Sequence, residues 1–109
     1  MNPSLPQVLE RYFAAQNAHD TMALLDCFTA DALVHDEGRN HQGLDAIRAW
    51  SDDVISRYNL SLKVLEATAN ADEALVKAEV SGSFDGSPAE ITYLFRFSDA
   101  GLIRSLEVP

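Results

Sequence analysis

The chain has 109 residues, 47% hydrophobic and 23% charged, and its 17 acidic against 8 basic side chains set a formal net charge of −9. That length predicts one domain over residues 1–109, and the composition is that of a folding chain rather than a disordered one. The acidity argues against a nucleic-acid partner, which needs a basic surface to displace counterions, and equally against a polybasic membrane anchor.

Cys27 is the single cysteine, so neither an internal disulfide nor a cysteine-rich zinc module is expected. Met1–Pro6 lacks the basic and apolar regions of a secretory leader, and no apolar run approaches the ~20 residues of a membrane span. The expectation is a soluble, cytoplasmic domain.

In chain order, Ser4-Leu5-Pro6-Gln7 reads as a capping-box helix start. Val8, Leu9, Tyr12, Phe13 and Ala15 then recur at helical spacing. Asn17-Ala18-His19-Asp20 breaks the pattern, and Asp20 is placed to cap a second short helix carrying Met22, Leu24, Leu25 and Phe28. Ala32–Asp36 predicts a strand, followed by a polar loop over Glu37–Gly43. A third helix follows, with Leu44, Ile47, Trp50, Val54, Ile55 and Tyr58 on one broad face.

Beyond Asn59 the apolar period becomes two. Leu60, Leu62 and Val64 form one alternating set. Val76, Ala78, Val80 and Phe84 form the next, then Ile91, Tyr93, Phe95 and Phe97, and finally Leu102, Leu106 and Val108. The separators Asn70-Ala71-Asp72, Asp85-Gly86-Ser87-Pro88 and Asp99-Ala100-Gly101 carry turn chemistry. The predicted class is α+β, in the order ααβαββββ. Three N-terminal helices pack on a strongly curved mixed, mostly antiparallel sheet in a cone-shaped α+β barrel.

Three segments carry a family resemblance. They are Arg11–Asp20, Phe28–Asp36, and Gly43–Trp50, with Phe95-Arg96-Phe97 as a late-strand companion. In order and spacing they resemble the nuclear-transport-factor-2-like superfamily, and within it the SnoaL-like polyketide cyclases and bacterial ketosteroid isomerases. The resemblance runs from about Val8 to Val108 and implies the cone fold. It implies much less about activity, because that scaffold hosts isomerases, cyclases, dehydratases, epoxide hydrolases and non-enzymes.

By resemblance, Tyr12 matches the isomerase tyrosine that donates to the substrate oxygen, and Asp36 the aspartate that shuttles the proton. Ketosteroid isomerase is itself a worked example of such a tuned carboxylate pair. Tyr93 stands where the isomerases have a second carboxylic acid, and where SnoaL-type cyclases bear their acid/base aspartate nearby. Ser51 stands in place of a supporting tyrosine, and the loop after Asp36 is two residues shorter. The superfamily also commonly dimerises through the sheet's outer surface.

The residues themselves leave two readings open. Asp36 shares strand parity with Ala32 and Val34, so it points either into the cavity as a desolvated general base or out at the strand's end as a loop cap. Tyr12 and Tyr93 are either core aromatics with satisfied hydroxyls or donors to a developing oxyanion. Phe13, Trp50, Val34, Phe84, Phe95 and His41 are the candidate cavity-lining residues. Arg39 is placed to pair with Glu37 or Asp36, or to bind an anionic substrate group. His35, Asp36, Glu37 and His41 do not have a familiar metal-ligand spacing, so neither metal nor cofactor is expected.

The expected function is cofactor-independent isomerase or cyclase chemistry on a small apolar carbonyl compound. The alternative is a non-enzymatic small-molecule binding or dimerisation module. Leu65, Leu75 and Leu94, on otherwise polar strand faces, would then form the contact patch of a homodimer.

Overall fold

The structure, a computed structural model, describes residues 5–109. The elements run α1 (Gln7–Ala18), α2 (Thr21–Leu25), β1 (Phe28–Asp36), β2 (Arg39–Gln42), α3 (Leu44–Tyr58), β3 (Ser61–Ala69), β4 (Glu73–Ser81), β5 (Ala89–Phe97) and β6 (Ile103–Glu107). The radius of gyration is 12.8 Å. No described helix is long and apolar enough to cross a membrane.

α1 starts after Pro6, whose carbonyl accepts from the Leu9 and Glu10 amides at 2.9 and 3.1 Å. The capping side chain expected at Ser4 lies outside the described residues. The helix ends at His19, whose φ of 55° is left-handed and turns its N–H back onto the Ala15 and Gln16 carbonyls. Two side chains hold that end against β3. Asn17 donates to the Leu62 carbonyl at 2.9 Å and accepts from the Leu62 amide at 2.7 Å. A His19 ring nitrogen lies 2.8 Å from the Leu60 carbonyl. Asp20 caps α2 as expected, accepting from the Ala23 amide at 3.1 Å.

Two boundaries differ from expectation. Phe28 opens β1 instead of closing α2: the helix stops at Leu25, and the Ile103 amide donates to the Cys27 carbonyl at 2.8 Å, drawing the chain into the sheet there. The expected polar loop contains the short edge strand β2. Glu37 (φ 53°) and Gly38 (φ 73°) both have positive φ, the geometry of a two-residue type I′ hairpin turn, so Asp36 pairs directly with Arg39.

The six strands form one open sheet in the order β2-β1-β6-β5-β4-β3. All neighbours are antiparallel except β1 and β6. β6 therefore joins the N-terminal hairpin to the β3–β5 meander. Val34 pairs with Leu106, and Leu106 with Phe95, which pairs with Ala74. All four side chains are buried, giving a solid inner row across four strands. Cys27 is fully buried beside them, and burial pushes its thiol above the ordinary value. It packs and is shielded from chemistry.

Candidate functional site

The row next to that solid one builds the site. From the register, two residues beyond Val34, Leu106 and Phe95 on the inner face come Asp36, Val108 and Tyr93. Asp36 and Tyr93 thus face each other across Val108, two strand spacings or ~10 Å apart at the backbone. The Val108 amide donates to the His35 carbonyl at 2.8 Å and fixes that alignment. Tyr12 and Gln16 approach from α1, and Trp50, Val54 and Tyr58 from α3. These groups, with Glu37, Leu60, Val80, Phe84, Ile91 and Pro109, line one cavity of about 300 Å³.

Asp36 is half-buried. Its Oδ2 accepts from the Trp50 indole Nε1 at 2.9 Å. Loss of hydration raises its carboxyl above the usual range, and the indole donor, favouring the charged form, works against that rise. The carboxylate thus lies on the cavity wall beside the indole, while the Glu37 backbone at the loop that follows also favours its charged form.

The Tyr12 side chain is fully buried. Phe13, Phe95 and Phe28 meet its ring edge-on, with centroids 5.1, 5.2 and 6.0 Å away. Its hydroxyl accepts from Gln16 Nε2 at 3.0 Å, leaving the phenolic proton for an acceptor in the cavity. Burial holds the phenol well above its ordinary range, with a further upward push from Tyr93. Tyr93 is likewise raised, by burial first and the Asp36 charge second. Both phenols are thereby held in the protonated, hydrogen-bond-donating form.

Of the residues expected on the wall, Trp50 and Phe84 line the cavity together with Asp36, Tyr12 and Tyr93. Phe13, Val34 and Phe95 do not. Val34 and Phe95 share the inward parity but sit one row deeper, where the core is solid, and Phe13 packs against Tyr93 at 6.2 Å and Phe95 at 5.9 Å. His41 faces inward from the edge strand but lies across Trp50, with ring centroids 6.2 Å apart. It lines a separate hollow with Asp36, Glu37, Arg39, Asp53 and Arg57. The partner of Glu37 is Arg57 rather than Arg39, at 3.0 Å; Arg57 also holds Asp53 at 2.7 Å. His35 turns to the outer face, its ring nitrogen 2.7 Å from Asn40.

Sequence reasoning missed Gln16, whose signal was a polar residue four positions after Tyr12 on an apolar stripe. It also missed Ile91 and Val108 as lining residues, although both share the parity of groups it singled out. Ser51, buried on α3, hydrogen-bonds Thr21 at 2.9 Å and ties α2 to α3 outside the cavity wall.

Residues 9–106 match the family model described as a SnoaL-like domain. A proposed polyketide cyclase from Sinorhizobium meliloti is 43% identical over 96% of this chain and 95% of its own, with a TM-score of 0.92. Two more distant structures share the fold. One is a protein of ketosteroid-isomerase-like fold from Catenulispora acidiphila (20% identity, 97% of this chain and 86% of that one, TM-score 0.80). The other is the epoxide hydrolase/cyclase-like enzyme SalBIII of pyran ring formation in the polyether salinomycin (18%, 94% and 86%, TM-score 0.78). No curated protein matches the chain.

Proposed function

The chain belongs to the SnoaL-like domain family, and on that premise we propose that it is a cofactor-independent isomerase or cyclase acting by proton transfer on a small apolar carbonyl compound. One observation carries this reading: Asp36, Tyr12 and Tyr93 open onto the same largely apolar cavity. The Asp36 carboxylate removes a proton alpha to the carbonyl, and negative charge develops on the substrate oxygen. Tyr12 and Tyr93 donate hydrogen bonds to that oxygen, and Asp36 returns the proton to a different carbon. A carboxyl raised by desolvation suits this work, because it gives up and regains a proton more evenly than a fully hydrated one.

The test is deuterium uptake alpha to the carbonyl of small ketones in D2O. Asp36→Asn should slow the uptake by about 10²–10⁴-fold while leaving the fold intact. Undiminished exchange in that variant removes Asp36 as the base.

A second reading, a non-enzymatic binding or dimerisation module, draws on the outer face of the sheet. Leu75 is 49% exposed and lies opposite Leu94. In this reading two copies meet through that face and the cavity only binds. Sedimentation at micromolar concentration tests the dimer, and a strict monomer removes it.

A further inference from the structure

We propose that the cavity binds a small alkylammonium cation, with Asp36 as its counter-ion and the aromatic wall holding its hydrocarbon part. Such a ligand occupies the carboxylate and competes with a carbonyl compound for the same space. The inference stands on the charges and unused polar groups of the wall, not on proton transfer.

Asp36 is the unpaired charge of this wall. The charged residues lining the cavity are Asp36 and Glu37, and no described Lys, Arg or His lines it. Glu37 already has its cation: Arg57 reaches it at 3.0 Å, holds Asp53 at 2.7 Å and lies over the Tyr58 ring at 4.6 Å. Asp36 forms no ion pair with any described residue. Its Oδ2 takes the neutral Trp50 indole N–H at 2.9 Å, whereas a carboxylate can accept about four hydrogen bonds. Half-buried, it has lost part of its water without gaining an opposite charge.

A second group on the wall lacks a partner. Tyr93 is 5% exposed and lines the cavity, yet its hydroxyl makes no hydrogen bond to a described residue. The fully enclosed orphan among the described residues is Ser105 Oγ, so the Tyr93 hydroxyl looks into open cavity. The Asp36 charge reaches it and adds to the rise that burial gives the phenol. An ammonium carries three N–H donors and no acceptor, which suits a wall offering a carboxylate and a phenol oxygen.

The remaining surface is largely aromatic, with the rings of Tyr12, Trp50, Tyr58, Phe84 and Tyr93. Such rings shelter a hydrocarbon and tolerate a neighbouring cation better than aliphatic walls do. A ligand carboxylate or phosphate would instead be desolvated beside Asp36 with no cation to receive it. The net charge of −9 also draws cations toward the chain as a whole.

Trp50 is the single tryptophan and touches both the cavity and Asp36. Its fluorescence and its indole N–H resonance therefore report occupancy without any turnover. The probes are cyclohexylmethylamine, cyclohexylmethanol and cyclohexanecarboxylate, one ring carrying a positive, a neutral and a negative group at pH 7. The amine should move the Trp50 signals saturably and bind about tenfold more tightly than the alcohol. The carboxylate should produce no saturable change. Asp36→Asn should bring the amine level with the alcohol. Tyr93→Phe, which keeps the carboxylate, should reduce the preference without abolishing it. Glu10→Gln removes an equal charge from the exposed side of α1 and should leave the preference intact. Melting curves of the variants establish that they fold.

Equal binding of amine and alcohol to the native chain overturns the proposal, as does a carboxylate that binds on a par with the amine. A preference that survives Asp36→Asn, or that Glu10→Gln erases equally, overturns Asp36 as the counter-ion. No response to any probe overturns the proposal altogether. A charge series that holds while alpha-proton exchange is absent leaves this proposal standing and defeats only the catalytic reading.

Discussion

Replacing Asp36 by Asn separates function from stability by sign. Burial raises the Asp36 carboxyl in the folded chain above its ordinary value, so between the unfolded value of about 3.9 and the folded one the native state binds more protons than the unfolded state. Stability then falls as pH rises through that window. At neutral pH the ionised side chain is therefore a destabilising element. Asn is nearly isosteric, and its carbonyl oxygen can still accept from the Trp50 indole.

The carboxyl is only half-buried, and solvent screening holds the effect to about 1 kcal/mol or less. For a domain of this size that is a gain of no more than ~4–8 °C in Tm. Thermal melts of both forms from pH 3 to pH 8 provide the assay. Asp36→Asn should melt at or above the native chain at pH 7, with the gap closing below about pH 4, while proton exchange collapses. A variant markedly less stable at pH 7, or a gap that widens in acid, would refute the claim that this carboxylate is held desolvated.

Trp50→Phe removes the indole donor to Asp36, so the carboxyl should rise further. In a pH titration of activity the basic form would appear at higher pH, and a profile moving the other way refutes the assignment. The two tyrosines should part company. Tyr12→Phe strands the buried Gln16 amide that donates to its hydroxyl and should cost about 1–3 kcal/mol in urea unfolding. Tyr93→Phe removes no such partner and should leave the unfolding midpoint nearly unchanged; each should slow exchange by about 10²–10³-fold. Asn17→Ala breaks both hydrogen bonds to the Leu62 backbone and should lower the unfolding free energy by about 1–3 kcal/mol, with fast hydrogen exchange at the Leu62 amide as its local signature.

Periodicity is enough to place the helices and the meander, because each buries a face that only its own repeat can assemble. It fails at β2, where Arg-Asn-His-Gln shows no alternation and pairing follows instead from the turn at Glu37-Gly38. It fails at Phe28 too, an apolar residue that suits a helix stripe as well as a strand. The inward aim of Asp36 follows from parity with Val34. Which inward residues touch the cavity and which fill the core does not, since that depends on how β1 and β5 register against β6. Val34 and Phe95 differ from Asp36 and Tyr93 by a single row. The indole bond to Asp36 depends on the phase of α3 fourteen residues downstream, which no local pattern states.

The parallel seam between β1 and β6 has an evolutionary and mechanical side. The Asp36 carboxyl belongs to one half of the chain and the Tyr93 phenol to the other, and a strand of five residues is the splice between them. Contacts so remote in sequence carry a loop-closure cost and slow folding. Without that splice the two groups are not held in opposition, and substitutions at the buried Ile103 or Leu106 would loosen the site and the architecture together.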